Sequence, residues 1–184
     1  MVLITVGISY SQELEPRAYS VIPKDVNAFS FSYTYSDGAI ITDATSPLKD
    51  FTTVTHNIVG AYIHTFSVFG KLARVQYGIP FVFMAGDLKV NGRDTSGSRS
   101  GFGDSRLRVG VNIFGSPALA PKDFLKFKEE AVFGASLVVS LPTGQYYDSK
   151  IINLGSNRWG FKPEIGFSYG IDRFYLEVNT GVWF

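Results

Sequence analysis

The stretch NAFSFSYTYS, residues 27–36, decides the fold. The aromatic side chains of Phe29, Phe31, Tyr33 and Tyr35 alternate here with small ones. Because successive side chains of a β-strand point to opposite faces, this segment is predicted to be a strand with one aromatic and one small, polar face. The aromatic face packs either in a protein core or against lipid, and the functional interpretation depends on which of the two applies.

The same alternation recurs to the end of the chain. The alternating segments are separated by clusters of Gly, Pro, Asp, Asn and Ser, a pattern typical of all-β proteins. Most of these segments are close to the roughly 9–11 residues that a tilted strand needs to cross a bilayer. The predicted strands are residues 27–36, 53–66, 71–83, 105–114, 130–141, 159–170 and 174–184.

The connections between these strands alternate in length. Short turns on one side and long loops on the other are typical of outer-membrane barrels. The connection at 115–129 is intermediate and fits this pattern least well, and a short helical turn is predicted within it, at 121–129. The predicted short turns are 67–70 and 171–173, and the predicted long loops are 37–50, 84–103 and 146–158.

Composition excludes several classes of protein. The 17 basic and 16 acidic residues nearly cancel, which argues against a nucleic-acid partner. Cysteine is absent, so disulfides and thiolate metal sites are excluded. No run approaches the roughly 18–20 apolar residues that a membrane-spanning helix requires.

The polar faces of the predicted strands distinguish the two environments. They carry small residues with isolated charges, whereas an open sheet facing water would carry charge more densely. In lipid a sheet must also close, since each unpaired backbone group costs several kcal/mol. We therefore predict an all-β, antiparallel up-and-down transmembrane β-barrel, of which this chain supplies about seven or eight strands. The aromatic residues expected to form the interfacial girdles are Tyr35, Tyr62, Trp159, Tyr169 and Trp183.

Two questions about the chain's extent stay open at this stage. An eighth strand lies near residues 19–22, or the intact protein continues beyond residue 184. Residues 1–11 are apolar and end in Ser-Tyr-Ser, which predicts the remainder of a signal peptide, with one barrel domain at 12–184 that is incomplete at its C-terminus. The alternative is that residues 1–11 form an ordinary first strand.

The polar sides of the strands provide the candidate site residues. Asp104, in the motif Gly101, Phe102, Gly103, Asp104, is expected to cap the following strand or pair with an arginine, because the glycines suit a tight bend. The side chains predicted to line the lumen are Arg74, Gln76, Arg106, Arg108, Asn112, Glu130, Lys162, Glu164, Glu177 and Asn179.

Other motifs favour neither catalysis nor cofactor binding. His56 and His64 share a strand face but lie about 26 Å apart at the rise of a strand, too far to bind one metal ion. Residues 97–103, GSRSGFG, lack the Lys and the following helix of a phosphate-binding loop and are predicted to be a flexible loop. We therefore expect no catalytic residues, no metal, no cofactor and no enzymatic activity.

Three segments carry a resemblance to a known family. They are residues 13–20, residues 98–119 with GFGD, and residues 137–184 with PTGQY and NRWGFKPEIG. Together they resemble the family described as "Putative MetA-pathway of phenol degradation". The resemblance implies a bacterial outer-membrane β-barrel that handles aromatic compounds and continues beyond the GVWF strand.

The function predicted at this stage is passive uptake of small, phenol-like compounds through an outer-membrane channel. Its expected partners are the lipid bilayer, the outer-membrane assembly machinery and small hydrophobic or aromatic solutes. The alternative is a non-conducting binding or structural barrel, either a plugged membrane barrel or a soluble lipocalin-like barrel with an aromatic-lined cavity.

Overall fold

The computed structural model describes residues 18–40, 48–90, 93–128, 131–150, 152–171 and 174–184. Within these residues the chain forms eight strands and one four-residue helix, which is too short to cross a membrane. The strands are β1 Asn27–Ile40, β2 Leu48–Val68, β3 Lys71–Val90, β4 Arg93–Phe102, β5 Ser105–Phe114, β6 Ala131–Leu141, β7 Gly160–Ile171 and β8 Phe174–Gly181, and the helix is α1 Pro121–Phe124.

All eight strands belong to one antiparallel sheet. Its order is β1-β2-β3-β5-β6-β7-β8, so consecutive strands are neighbours, and β4 pairs only with the last part of β3. The predicted all-β, antiparallel, up-and-down fold is confirmed, and each of the seven predicted strands is present. The pairing beside β7 continues past β8, because the amides of Val182 and Phe184 donate to Pro163 and Phe161.

The register keeps the two faces of every strand aligned across the sheet. Directly paired residues point to the same side. We call the side that carries the small and charged residues the polar face and the other the aromatic face. One row of the polar face runs Ser30, Ala61, Gly78, Arg106, Ser140 and Gly160, from β1 to β7.

The aromatic face is not the core of a globule. Phe29 and Phe31 are 76% and 83% exposed, and most of the large apolar side chains on this face are exposed as well. The compact cluster of buried apolar residues instead contains Tyr19 and Val132, and it lies against the polar face. An apolar surface of this extent on the outside of a sheet suits contact with lipid. It does not suit a soluble barrel with an aromatic-lined cavity.

Two of the predicted loops are largely strand. The predicted loop 84–103 is wrong, because β3 continues to Val90 and then forms a hairpin with β4. Residues 97–102 lie in β4, so the flexible loop predicted at 97–103 is also wrong. In the same way β1 extends to Ile40 and β2 begins at Leu48, which leaves only 41–47 of the predicted loop 37–50 between them.

The GFGD motif forms a β-bulge between β4 and β5. Phe102 pairs with Phe81 and Arg106 pairs with Gly78. The segment 102–106 therefore has one residue more than the segment 78–81 of β3 that it faces. The extra residue is accommodated at Gly103, whose amide donates to the Pro80 carbonyl at 3.0 Å. A bulge of this kind bends and twists the strand.

The two ends of the sheet differ as predicted. At the end that we call the turn end, Phe69 and Gly70 have φ of 48° and 75°, as a two-residue type I′ turn requires. The predicted short turn at 67–70 is therefore confirmed. The connection after β5 also lies at this end and contains α1, which confirms the first part of the predicted helical turn. The loop end carries the β3–β4 hairpin and the connection 142–159.

Residues 18–26 form no strand, so the eighth strand proposed near 19–22 is not there. This segment, which we call the N-terminal segment, lies irregularly against the polar face near the turn end. It is held at both sides, since the Lys24 amide donates to Leu119 and the Asp25 amide donates to Thr65. The predicted signal-peptide residues 1–11 lie outside the described residues.

Candidate functional site: the polar face

The structure places the predicted lumen residues on one side of the sheet. The strand registers align nine of them on the polar face, whereas Glu130 lies outside the described residues. Their role in lining a lumen stays a prediction. The nine are Arg74, Gln76, Arg106, Arg108, Asn112, Lys162, Glu164, Glu177 and Asn179.

Three of these side chains form a buried ion cluster. Glu164 lies 2.8 Å from Arg108 Nη2 through one carboxylate oxygen and 2.9 Å from Lys162 Nζ through the other. All three residues are at most 7% exposed. Ser136, which pairs with Glu164 across β6 and β7, donates to its carboxylate at 3.1 Å. The cluster joins β5, β6 and β7 and carries one net positive charge.

Tyr19 of the N-terminal segment covers this ion cluster. Its hydroxyl lies 2.9 Å from Ser136 Oγ, and the Arg108 guanidinium lies 5.4 Å from the centre of its ring. The ring fits because Gly134 and Gly166, which pair directly across β6 and β7, have no side chains where it rests. Tyr19 therefore docks into a site formed by two facing glycines.

Two further polar-face residues hold the backbone of the segment. Asn112 donates its side-chain amide to the Tyr19 carbonyl at 3.0 Å, and Arg74 donates to the Ser20 carbonyl at 2.6 Å. Phe124 and Phe127, from the connection after β5, pack against the same cluster of buried residues. Together these contacts cover the polar face near the turn end.

Sequence reasoning missed this segment because residues 18–26 have no period of two or 3.6. A signal for it was nonetheless present in the strands. Gly134 and Gly166 interrupt two alternating segments, and glycine within a strand marks a close approach of another part of the chain.

A cavity of about 700 Å³ lies on the polar face beside the ion cluster. Its lining extends from Asn57 of β2 to Trp183 beyond β8, so the sheet curves around it. Residues 153–156 of the connection 142–159 also line it, which shows that this connection folds inward over the polar face.

Trp183 corrects one of the girdle predictions. It follows the parity of Glu177 and Asn179 and therefore points to the polar face, where it lines the cavity. Its ring lies over Gly160, where a Cβ would be in tight contact with it at 3.3 Å. The prediction that Trp183 belongs to a lipid-facing girdle is wrong, because it follows from the residue type and not from the parity of the position.

The other predicted girdle residues lie on the aromatic face. Tyr35, Trp159 and Tyr169 are exposed there, and the Tyr62 hydroxyl donates to Asn27 Oδ1 at 2.6 Å. His56 and His64 share this face eight residues apart in β2, and both bind neighbouring side chains. His56 contacts the Tyr33 hydroxyl and His64 contacts Asn27. Among the described residues, no group of His, Cys, Asp or Glu side chains is arranged to hold a metal ion.

Asp104 anchors the inward-folded connection to the bulge. Its carboxylate accepts hydrogen bonds from the Gly144 amide at 2.9 Å and from the Ser156 amide and hydroxyl at 2.7 Å each. Gly144 and Gly155 pack closely beside it, where a side chain on either would clash with the backbone. Asp104 thus fixes the connection 142–159 as well as the entry to β5.

These contacts keep Asp104 ionised. Partial burial raises the pKa of the carboxyl group. The hydrogen bonds from Ser156 and Gly144 and the charge of Arg106 lower it by more, so the pKa lies below its ordinary value of 3.8. Arg99 strengthens the same attachment, since it donates to Asn153 at 3.0 Å and lies 5.7 Å from the Tyr147 ring centre.

Comparisons with known proteins agree with this architecture. The model of the family described as "Putative MetA-pathway of phenol degradation" matches residues 31–184. No curated protein sequence matches the chain. The chain is similar in structure to an outer membrane channel from Pseudomonas putida, with a TM-score of 0.64 and 19% sequence identity. The match covers 92% of this chain and 59% of that channel, and it shows a shared fold.

Proposed function

Because the chain belongs to the family described as "Putative MetA-pathway of phenol degradation", we propose that it forms part of the wall of a bacterial outer-membrane channel. In this proposal the aromatic face contacts lipid and the polar face lines a water-filled lumen. Small aromatic compounds pass through that lumen by diffusion, without a catalytic step or a cofactor.

The observation that carries the proposal is the opposite character of the two faces. Phe29 and Phe31 are exposed on one side, whereas Arg108, Lys162 and Glu164 are buried on the other. This is the reverse of a soluble sheet, which places its aromatic side chains inside and its charges in water. A wall between lipid and enclosed water requires this arrangement.

The fold also supports the proposed partners. Strands that present an apolar face of this extent need a bilayer around them, and their edges must be paired within it. Barrels of this class enter the membrane through the outer-membrane assembly machinery, which we propose as a second partner. The near-zero net charge of +1 gives no support to a nucleic-acid partner.

The test is to purify the protein from outer membranes in detergent and reconstitute it in planar lipid bilayers. We expect ion conductance, and we expect phenol to interrupt the current as it occupies the lumen. Interruption is the better measurement because phenol also crosses lipid by itself. Heat-modifiable migration in gels provides the independent check that the purified protein is a folded barrel.

A second candidate is a barrel that binds solutes without conducting. It is favoured by one observation, the docking of Tyr19 onto Gly134 and Gly166 across the polar face. A folded barrel with heat-modifiable migration and no conductance at any applied voltage would support this candidate and contradict the channel.

A further inference from the structure

The cavity on the polar face has a cationic side next to an aromatic ring. The Arg106 guanidinium lies 5.8 Å from the centre of the Trp183 ring, and the Lys162 ammonium lies 5.7 Å from it. Trp183 is 40% exposed, so part of the ring faces the cavity. Two cations around one accessible indole form a site where an anionic group and a flat ring can bind side by side.

The remaining walls of the cavity combine apolar side chains with neutral polar ones such as Asn57, Gln76 and Ser140. Val59 and Pro80 line it from β2 and β3, Val138 lines it from β6, and Leu154 lines it from the inward-folded connection. These side chains offer no charge and suit the hydrocarbon part of a ligand. The cavity volume of about 700 Å³ is within the range of small-molecule sites.

The charges that line the cavity favour an anion. Three are positive, on Arg106, Arg108 and Lys162, and two are negative, on Asp104 and Glu164. The Glu164 carboxylate lies between Arg108 and Lys162, and the Asp104 carboxylate accepts three hydrogen bonds from the loop end. Both carboxylates are thus engaged with the protein, and the charges of the described lining residues sum to one net positive charge.

We propose that this cavity is a binding site for small aromatic carboxylates. The ligand carboxylate binds at the exposed Arg106, and the ligand ring packs against Trp183 and the apolar side chains. The buried Lys162 adds positive charge next to Trp183 without contacting the ligand. A neutral phenol fills the same space without the ion pair and binds more weakly. This inference rests on the proposed channel function and specifies its solute class.

The chain's two tryptophans allow a direct binding measurement. Trp183 lines the cavity, whereas Trp159 is exposed on the aromatic face and stacks on Phe161. The protein in lipid vesicles is titrated with benzoate and, separately, with benzyl alcohol as its neutral counterpart. We expect benzoate to quench tryptophan fluorescence saturably in the wild type and in Trp159→Phe, and to leave Trp183→Phe unchanged.

Charge variants test which group recognises the carboxylate. Arg106→Gln is expected to weaken benzoate binding on the order of tenfold, the effect of one charged hydrogen bond, and to leave benzyl alcohol unaffected. Arg158→Gln is the matched control, because Arg158 is an exposed cation that does not line the cavity. Equal affinity for benzoate and benzyl alcohol, or saturable quenching that persists in Trp183→Phe, would overturn the inference.

Conductance of the same preparation separates the two proposals. Ion current without preferential benzoate binding contradicts the carboxylate site and leaves the channel standing. Saturable benzoate binding without ion current contradicts passage through the barrel, and the site is then that of a binding protein.

Discussion

Among single residues, Glu164 links the buried charges of the polar face. Its carboxylate oxygens lie within 2.9 Å of Arg108 Nη2 and of Lys162 Nζ. All three side chains are almost fully buried. Glu164→Gln leaves two adjacent cations without their carboxylate. We expect a loss of about 3 kcal/mol or more in the free energy of unfolding, the usual result of removing one member of a buried ion pair.

Thermal unfolding in detergent, followed by heat-modifiable migration, measures this loss. The control is Asp94→Asn, which removes an exposed carboxylate from β4 and should change stability by less than about 0.5 kcal/mol. If both variants unfold at the wild-type temperature, the ion cluster contributes nothing to the stability of the sheet.

The sequence predicts correctly which side of the sheet these three residues face, but it does not predict the positions of Trp183 and Tyr19. A side chain within a regular strand has its direction fixed by parity, so the sequence alone places Arg108, Lys162 and Glu164 on the correct side. For Trp183 the residue type favours the lipid side, whereas the parity of its position indicates the polar face. Tyr19 lies outside any strand, and its position depends on contacts more than a hundred residues away in the chain, such as that with Ser136.

Among the elements, β5 offers the sharpest test that the aromatic face meets lipid. Val109 lies in the middle of this strand on that face, between Val75 and Leu137 of its neighbours. Val109→Arg is expected to cost about 2–4 kcal/mol if the strand crosses the centre of a bilayer. Unfolding of the protein in lipid vesicles by urea measures this cost.

The matched control lies in β4, which pairs with the far part of β3. Ser96 is exposed, pairs with Asp87, and points to the same side of the sheet as Val109. Ser96→Arg should change stability by no more than about 0.5 kcal/mol, since this hairpin extends beyond the strands paired in β5–β8. Equal costs at the two positions would contradict a bilayer around β5.

β4 also shows where strand prediction from sequence fails. Its sequence, RDTSGSRSGF, has no apolar alternation, because nearly all of its side chains on both faces are exposed. Alternation arises only where the two faces of a strand meet different environments. The seven other strands separate an apolar from a polar side and were predictable for that reason.

The connection 142–159 carries a prediction about pH. Because the pKa of Asp104 is lowered on folding, the stability that its carboxylate contributes is fully present above the unfolded value of 3.8. This stability is lost as pH falls through the lower folded value. We expect the Gly144 and Ser156 amides to stay protected from hydrogen exchange from neutral pH down to about pH 4. Below that pH their protection should fall.

Asp104→Asn is the control for this titration, since it removes the titrating group. Its Gly144 and Ser156 amides should exchange on the order of tenfold faster than those of the wild type at neutral pH, with no further acid step. Exchange rates are compared after correction for intrinsic pH dependence. Identical protection in both proteins at neutral pH would show that the carboxylate does not hold the connection.

At the scale of the whole molecule, the two ends of the polar face are covered by different means. The turn end is covered by the N-terminal segment, through Tyr19 and the backbone contacts of Asn112 and Arg74. The loop end is partly covered by the connection 142–159, which Asp104 anchors. The open cavity lies between the two, so a solute that moves along this part of the polar face in the proposed channel passes both segments.

Tyr19→Ala tests whether the N-terminal segment limits passage. The change removes the ring from its site on Gly134 and Gly166 and the hydroxyl from Ser136. Loss of a buried aromatic side chain costs about 3 kcal/mol, which shifts the ratio of docked to released segment by about a hundredfold. We expect higher single-channel conductance than in the wild type.

Tyr33→Ala, which removes an exposed tyrosine from the aromatic face, should leave conductance unchanged. If both variants conduct like the wild type, the docked segment does not obstruct the lumen and the passage runs elsewhere along the polar face.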